Sequence, residues 1–225
     1  MSIYLKGGIM VHLINIIIEP VKVFKHIKEK DDWWIPLILA IVIAWVFTAV
    51  TAPAVARLTA QKMAEMGVDR ELPKFMGLIG YISVPIVTMI SWLIASVIIW
   101  FLGNTFGADW DFIKALDLYA YSAVIQVIRS TLSIVILLLR GIPNIMTFRD
   151  LNVATGLNML FSPENPRLYA LFSGIEVFAI WQYIIIAYGI SEITGISKKK
   201  AALVCVITYA LTLGFSLIFA GKGTM

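Results

Sequence analysis

Five apolar stretches, each long enough to cross a bilayer, constrain the fold of this 225-residue chain more than any other feature. They cover residues 35–56, 77–102, 119–139, 168–190 and 201–220. An α-helix rises about 1.5 Å per residue, so a hydrocarbon core of about 30 Å needs about 20 residues. Because only helices and closed barrels satisfy their backbone hydrogen bonds inside lipid, the sequence predicts an all-α integral membrane protein, a bundle of five transmembrane helices.

The segments outside these stretches are too short for a soluble domain. The longest are residues 1–34 and 140–167, whereas a compact domain usually needs more than about 50 residues. We therefore predict an N-terminal interfacial segment over residues 1–34 and one membrane domain over residues 35–225. In the long connection, residues 150–161 could form a short helix that rests on the membrane interface.

After Pro20 the N-terminal segment has the spacing of a short amphipathic helix. Its apolar side chains share one side: Val23, Phe24 and Ile27. Its lysines share the other side: Lys22, Lys25 and Lys28. We expect this helix to lie in the membrane interface with its lysines at the headgroups, and Trp33 and Trp34 to mark where the first span enters. A soluble amphipathic linker is the alternative.

The charge distribution gives a weak signal for topology. Lys and Arg residues outside the five stretches are divided almost equally between the two sides of the membrane. The lysines before the first span and the run Lys198–Lys200 favour a cytoplasmic N-terminus. We expect a multi-pass protein of the cell (inner) membrane if the chain is prokaryotic, with the lipid bilayer as its first partner.

The third stretch carries an arginine, Arg129, at its middle. Insertion scales assign a central arginine a cost of about 2.5 to 3.5 kcal/mol, so its side chain should face the bundle interior and meet a partner. The same helical face carries three further polar residues: Ser122, Gln126 and Ser133. Glu176 is the candidate counter-ion, because antiparallel third and fourth spans would place it within about 3 Å of the depth of Arg129. Asp117 and Glu192 lie nearer the span edges and fit less well.

Two interpretations of this polar face stay open. In the first, Arg129 and Glu176 form a buried ion pair that fixes helix register, and the neighbouring polar side chains complete its hydrogen bonds. In the second, the same residues line a polar cavity for an ion, a proton or a lipid headgroup.

Signatures of enzymes and of metal or nucleic-acid binding are absent from the sequence. His12 and His26 both precede the first span, so no metalloprotease helix of the HExxH type exists. We interpret four aspartates as solvated charges that flank spans rather than as a metal site: Asp31, Asp32, Asp109 and Asp111. The single cysteine, Cys205, is interpreted as a packing residue. The sequence predicts no enzymatic activity, no cofactor and no nucleic-acid partner.

Three stretches together resemble the Yip1-domain family of membrane proteins. They read IIIEPVKVFKHIKEKDDWWIPL, FGADWDFIKALDLYAYSA and IEVFAIWQYIIIAYGISEITGISKKKA. The resemblance covers about Glu19 to Ala202 and implies a five-span α-helical protein with a cytosolic N-terminus. It also implies a link to the family's eukaryotic members, which serve vesicle traffic, bind Rab-type GTPases and form complexes with related proteins.

Two departures define which branch of the family the chain resembles. The long hydrophilic N-terminal region of the eukaryotic members is missing, and Ile125 stands where many members have proline. The chain is therefore similar to short, prokaryotic-type members, and we do not extend GTPase binding to it. We expect a non-enzymatic protein that organises membrane or binds partner membrane proteins, including copies of itself as a homo-oligomer. A small transporter or channel that uses the polar face of the third span is the alternative.

Overall fold

The computed structural model describes residues 9–67, 75–161 and 163–220, and most of these residues are helical. The helices in the described part are α1 (Ile9–Ile18), α2 (Pro20–Glu29), α3 (Trp34–Glu65), α4 (Phe75–Thr105), α5 (Phe112–Ser122), α6 (Val124–Arg140), α7 (Pro166–Gly174), α8 (Val177–Thr194) and α9 (Lys198–Ala220). Five segments are long and apolar enough to cross a membrane: Trp34–Glu65, Ile79–Thr105, Phe112–Arg140, Val177–Thr194 and Lys198–Ile218. The prediction of an all-α protein with five spans is confirmed.

The third span begins earlier than predicted and is divided at Ala123. The sequence predicts its start at residue 119 and places Asp117 near the edge of the span. Asp117 is instead fully buried on α5, and this burial lets the helix start at Phe112. At Ala123 the helical hydrogen bonding changes to the tighter 3₁₀ type. The Gln126 N–H donates to the Ala123 carbonyl at 2.9 Å, which is an i to i+3 bond.

The fourth span also differs from its predicted bounds, 168–190. The helix breaks at Ile175 and Glu176, and Glu176 has an extended conformation (φ −125°, ψ 154°) ahead of α8. A non-local pairing replaces the missing helical bonds: Gly156 and Glu176 form an isolated antiparallel bridge, and the Leu157 N–H donates to the Ile175 carbonyl at 3.0 Å. Apolar periodicity alone cannot reveal such a pairing.

The same pairing rules out the short helix predicted over residues 150–161. The segment contains two 3₁₀ turns, Phe148–Leu151 and Leu157–Met159, and the chain between them does not form a helix. That prediction is wrong because the backbone of this segment pairs with residues 175–177.

The chain forms two compact units. The first contains Met1–Leu37, Ser91–Gln126 and Ala154–Met225, and the second contains Ile38–Ile90 and Val127–Val153. Of the predicted N-terminal segment, residues 1–8 lie outside the described part of the chain. Its helices α1 and α2 belong to the first unit, where they pack with α5 and α8.

In the first unit the apolar side of α2 is covered by protein. Its residues Val23, Phe24 and Ile27 are almost completely buried, and α2 packs against α1, α5 and α8. The apolar side chains of α2 therefore contact protein in the first unit, and its position in the membrane interface stays a prediction. Lysines Lys22, Lys25 and Lys28 on its other side are exposed. Their contact with headgroups stays a prediction.

The second unit has its own small apolar core. Buried side chains come from α3, α6 and the connection that follows α6: Ala54, Leu58, Leu137, Ile145 and Val153. The guanidinium of Arg57 donates to the carbonyl of Ile145. The connection is thereby held on α3, which continues past Pro53 to Glu65.

The closest packing described in the first unit surrounds Gly189 on α8. A Cβ atom at this position would overlap the side chain of Leu118 and lie 2.9 Å from Cε1 of Phe24, both of which are buried. Overpacking of this kind costs about 1 to 3 kcal/mol. We predict that Gly189→Ala lowers the thermal midpoint of the purified protein in detergent.

Gly214→Ala on α9 is the matched control, because a Cβ there has no heavy atom within 4 Å. Both substitutions gain the same helix propensity, up to about 1 kcal/mol. The difference between the two thermal midpoints therefore measures the effect of overpacking at Gly189. Equal midpoints would contradict close contact between α8, α5 and α2.

Candidate functional site

Five polar side chains form a cluster in the first unit, named here the Asp32 cluster: His12, His26, Asp32, Asp117 and Tyr121. The carboxylate of Asp32 lies at its centre and is 9% exposed. Oδ2 of Asp32 lies 2.7 Å from Nε2 of His26, and Oδ1 accepts a hydrogen bond of 2.7 Å from the Tyr121 hydroxyl. The backbone N–H of Asp32 donates to Oδ1 of Asp117 at 3.1 Å.

Local structure accounts for the position of each member. Helix α2 ends at Glu29, and Lys30 is extended, so the chain turns and brings Asp32 back toward α5. The carbonyl of Asp32 accepts from the Ile35 N–H at 3.0 Å as α3 begins. On α5, Asp117 and Tyr121 are four residues apart and therefore share one face of the helix.

The two histidines stack at the edge of the cluster. The ring centres of His12 and His26 are 3.9 Å apart with 16° between their planes, and Tyr121 meets His26 edge to face at 6.0 Å. Partial burial lowers the pKa of His12, and the neighbouring His26 lowers this pKa further. Asp32 acts in the opposite direction, and Lys30 lowers the His12 pKa more weakly.

An ion pair lies beside the cluster and makes a second connection between the same elements. Nζ of Lys114 on α5 lies 2.7 Å from Oδ1 of Asp31, and the Asp31 side chain is 56% exposed. An exposed pair of this kind contributes less than about 1 kcal/mol. The buried hydrogen bonds to Asp32 are therefore the stronger connection, at about 1.5 to 3 kcal/mol each.

The hydrogen bonds of the Asp32 cluster attach elements of the first unit to one another. Three hydrogen bonds connect its members, which come from α1, α2, the turn before α3, and α5. No group of three or more His, Cys, Asp or Glu side chains in the described part of the chain is arranged to hold a metal ion. Two atoms in the cluster, Nδ1 of His12 and Oδ2 of Asp117, are buried without a hydrogen-bond partner among the described residues.

Sequence reasoning missed this cluster. The interpretation of Asp32 as a solvated flanking charge is wrong, because its carboxylate is buried and hydrogen-bonded, whereas Asp109 and Asp111 are exposed. Asp117, set aside as an edge residue, is fully buried. The available signal was the i, i+4 spacing of Asp117 and Tyr121 on α5. Their partner Asp32, by contrast, lies 85 residues from Asp117 and 89 residues from Tyr121 in sequence.

The structure places two of the predicted site residues in the second unit. Arg129 and Ser133 line a cleft of about 190 Å³, together with Ser130 and Asn152. The hydroxyl of Ser133 is buried and donates to the carbonyl of Arg129 at 3.0 Å. This Arg129 cleft brings a guanidinium, two hydroxyls and an amide to one place.

The other predicted residues belong to the first unit. Ser122 is buried, accepts from Nε2 of Gln182 at 3.4 Å and donates to the Tyr119 carbonyl at 2.8 Å. Gln126 is half-buried. Glu176 is 7% exposed and accepts a hydrogen bond of 2.6 Å from the Thr155 hydroxyl. The pairing of Glu176 with Arg129 would join the two units and stays a prediction.

The predicted interfacial tryptophans differ in exposure. Trp33 is half-buried, and Trp34, the first residue of α3, is 50% exposed. Their role as markers of the headgroup level stays a prediction.

The hydroxyl of Tyr121 should contribute measurably to stability, because it donates to a buried carboxylate. We predict that Tyr121→Phe destabilises the purified protein by about 2 kcal/mol. Tyr188→Phe is the control, because the ring of Tyr188 packs on Phe24 at 5.5 Å and the substitution keeps this contact. Equal stability of the two variants would contradict the role given to the Tyr121–Asp32 hydrogen bond.

The lowered pKa of His12 predicts a pH dependence. As the pH falls below the ordinary value of 6.5, the unfolded chain takes up the His12 proton before the folded protein does. The contribution of His12 to the free energy of unfolding is therefore complete above that pH and declines as the pH falls below it. Thermal midpoints of wild type and His12→Gln, compared between about pH 5 and pH 8, should differ by an amount that changes below the ordinary value. A difference constant across this range would show that His12 keeps an ordinary pKa.

Comparison with known proteins agrees with the fold. The Yip1 domain family matches residues 14–220. Membrane protein YknW of Bacillus subtilis (strain 168) is 26% identical over 219 residues, which cover 93% of this chain and 89% of that protein. No solved structure matches the chain. The family match includes the five spans and every member of the Asp32 cluster except His12. The chain therefore belongs to the Yip1-domain family of membrane proteins.

Proposed function

We propose that this Yip1-family membrane protein is non-enzymatic and organises the membrane by binding partner membrane proteins, including further copies of itself. The observation that carries the proposal is the attachment of α2. Its apolar side is buried in the first unit, its end is fixed by the Asp32 cluster, and its lysines face outward.

A fixed helix suits partner binding because its surface is already ordered. Association normally costs the ordering of flexible side chains and segments, and a preorganised surface avoids part of this cost. The lysines of α2 supply charge complementarity to an acidic surface on a partner, which favours encounter and sets specificity. The proposal places α1 and α2 on the cytoplasmic side, and the lysines of α2 and the run Lys198–Lys200 support this orientation.

The bonding of the Asp32 cluster supports a non-enzymatic role. The Asp32 carboxylate is occupied by Tyr121 and His26. Its groups connect elements of the first unit to one another, which is the arrangement expected of a structural attachment. A general acid or base would need a hydrogen-bonding path to a bound substrate.

Reversing charge on the exposed side of α2 should weaken partner binding. We predict that Lys25→Glu combined with Lys28→Glu reduces cross-linking to neighbouring membrane proteins in intact membranes by about ten-fold. Arg167→Glu is the control, because Arg167 is also exposed but lies at the start of α7. Mass spectrometry of the cross-linked products identifies the proteins and the contact residues.

Two results would contradict the proposal. Equal cross-linking of the α2 variant and the Arg167→Glu control would show that α2 does not bind the partners. Anion flux in proteoliposomes that Arg129→Ala abolishes would instead establish transport as the function.

Transport is the second candidate because one observation favours it. The break between α7 and α8 places the buried Glu176 directly before α8, and discontinuous helices with polar groups at the break occur at ion and substrate sites of transporters. The Arg129 cleft adds a cationic side chain in the third span.

A further inference from the structure

A narrow apolar groove runs between α8 and α9 in the first unit. It has a volume of about 200 Å³, and its walls include Ile180, Ile184 and Ala187 from α8 and Ala202, Cys205 and Val206 from α9. Both helices are among the five candidate spans. The outer residues Ile184 and Val206 are 61% and 64% exposed, so the groove opens to the surface that faces lipid in a membrane.

Two tyrosines at the far end keep the groove apolar. The hydroxyl of Tyr209 donates to the Gly174 carbonyl at 2.5 Å, and the hydroxyl of Tyr183 lies 3.4 Å from that of Thr212. These hydroxyls are therefore engaged elsewhere, and the tyrosines can line the groove with ring carbons. The lining suits a hydrocarbon chain.

A cation stands at the opposite end of the groove. Lys198 is exposed and lies four residues before Ala202, so both residues share one face of α9 about 6 Å apart along its axis. Nζ of Lys198 lies 5.2 Å from the ring centre of Tyr188, the residue next to Ala187. Lys199 and Lys200 follow on α9, whereas α8 contributes a single exposed carboxylate at this end, Glu192.

We propose that the α8–α9 groove binds one anionic glycerophospholipid, with an acyl chain along the groove and the headgroup phosphate at Lys198. The apolar lining and the volume of about 200 Å³ suit a single acyl chain. An apolar ligand without charge would gain nothing from Lys198. A lipid with an acidic headgroup uses both features at once, and the binding does not depend on which proteins contact α2.

Photo-cross-linking of lipid to the purified protein tests the proposal. The protein is placed in nanodiscs of equimolar phosphatidylcholine and phosphatidylglycerol, in which one of the two lipids carries a photoreactive group on its acyl chain. We predict that phosphatidylglycerol labels peptides of α8 and α9 about five-fold more than phosphatidylcholine does. Lys198→Gln should remove this preference, and Val206→Trp, which fills the groove, should reduce labelling by both lipids.

Lys200→Gln is the matched control, because it removes the same charge from a residue two positions before Ala202, which lies on the opposite side of α9. It should keep the preference for phosphatidylglycerol. Equal labelling of wild type by the two lipids would overturn the proposal, since the groove would then hold ordinary surrounding lipid. Equal losses in Lys198→Gln and Lys200→Gln would also overturn it, because general surface charge would explain the preference. Labelling that Val206→Trp leaves unchanged would place the lipid outside the groove.

Discussion

The carboxylate of Asp32 is buried, and side chains from two helices of the first unit form hydrogen bonds to it. Burial of a charged group is unfavourable by several kcal/mol unless hydrogen bonds replace its hydration. The replacements are the Tyr121 hydroxyl and the His26 ring, each at 2.7 Å. Because Tyr121 lies on α5 and His26 on α2, satisfying this one carboxylate fixes α2 against a membrane-spanning segment. The burial of Phe24 and the close approach of Gly189 to it complete the packing.

The family resemblance has a structural counterpart in this packing. The first stretch that resembles the family contains α2 and Asp32, the second contains α5, and the third contains α8. These three helices pack against one another, so segments far apart in sequence form one compact unit. In this chain the packing of the three stretches holds the N-terminal helix α2 in place. It is also the basis for proposing that the helix presents a binding surface.

Hydrogen bonds from a segment distant in sequence explain why the backbone can be irregular between α7 and α8. A helix may break inside a protein only where other groups satisfy the freed N–H and C=O groups. At Ile175 and Glu176 those groups are supplied by residues 155–157, through the bridge of Gly156 with Glu176 and the bond from Leu157. The packing around Gly156 is correspondingly close, since a Cβ there would lie 2.5 Å from the Ile175 carbonyl oxygen.

The sequence by itself determined the all-α class, the five spans and the family, because span length, hydropathy and motif order are local properties of the chain. It also located the lysine side of α2 and the polar residues of the third span. Only the tertiary structure decided which polar groups are buried together, because Asp117 and Tyr121 lie 85 and 89 residues from Asp32 along the chain. For the same reason it alone decided the break before α8. Non-local hydrogen bonds can override apolar periodicity, and no local pattern records them.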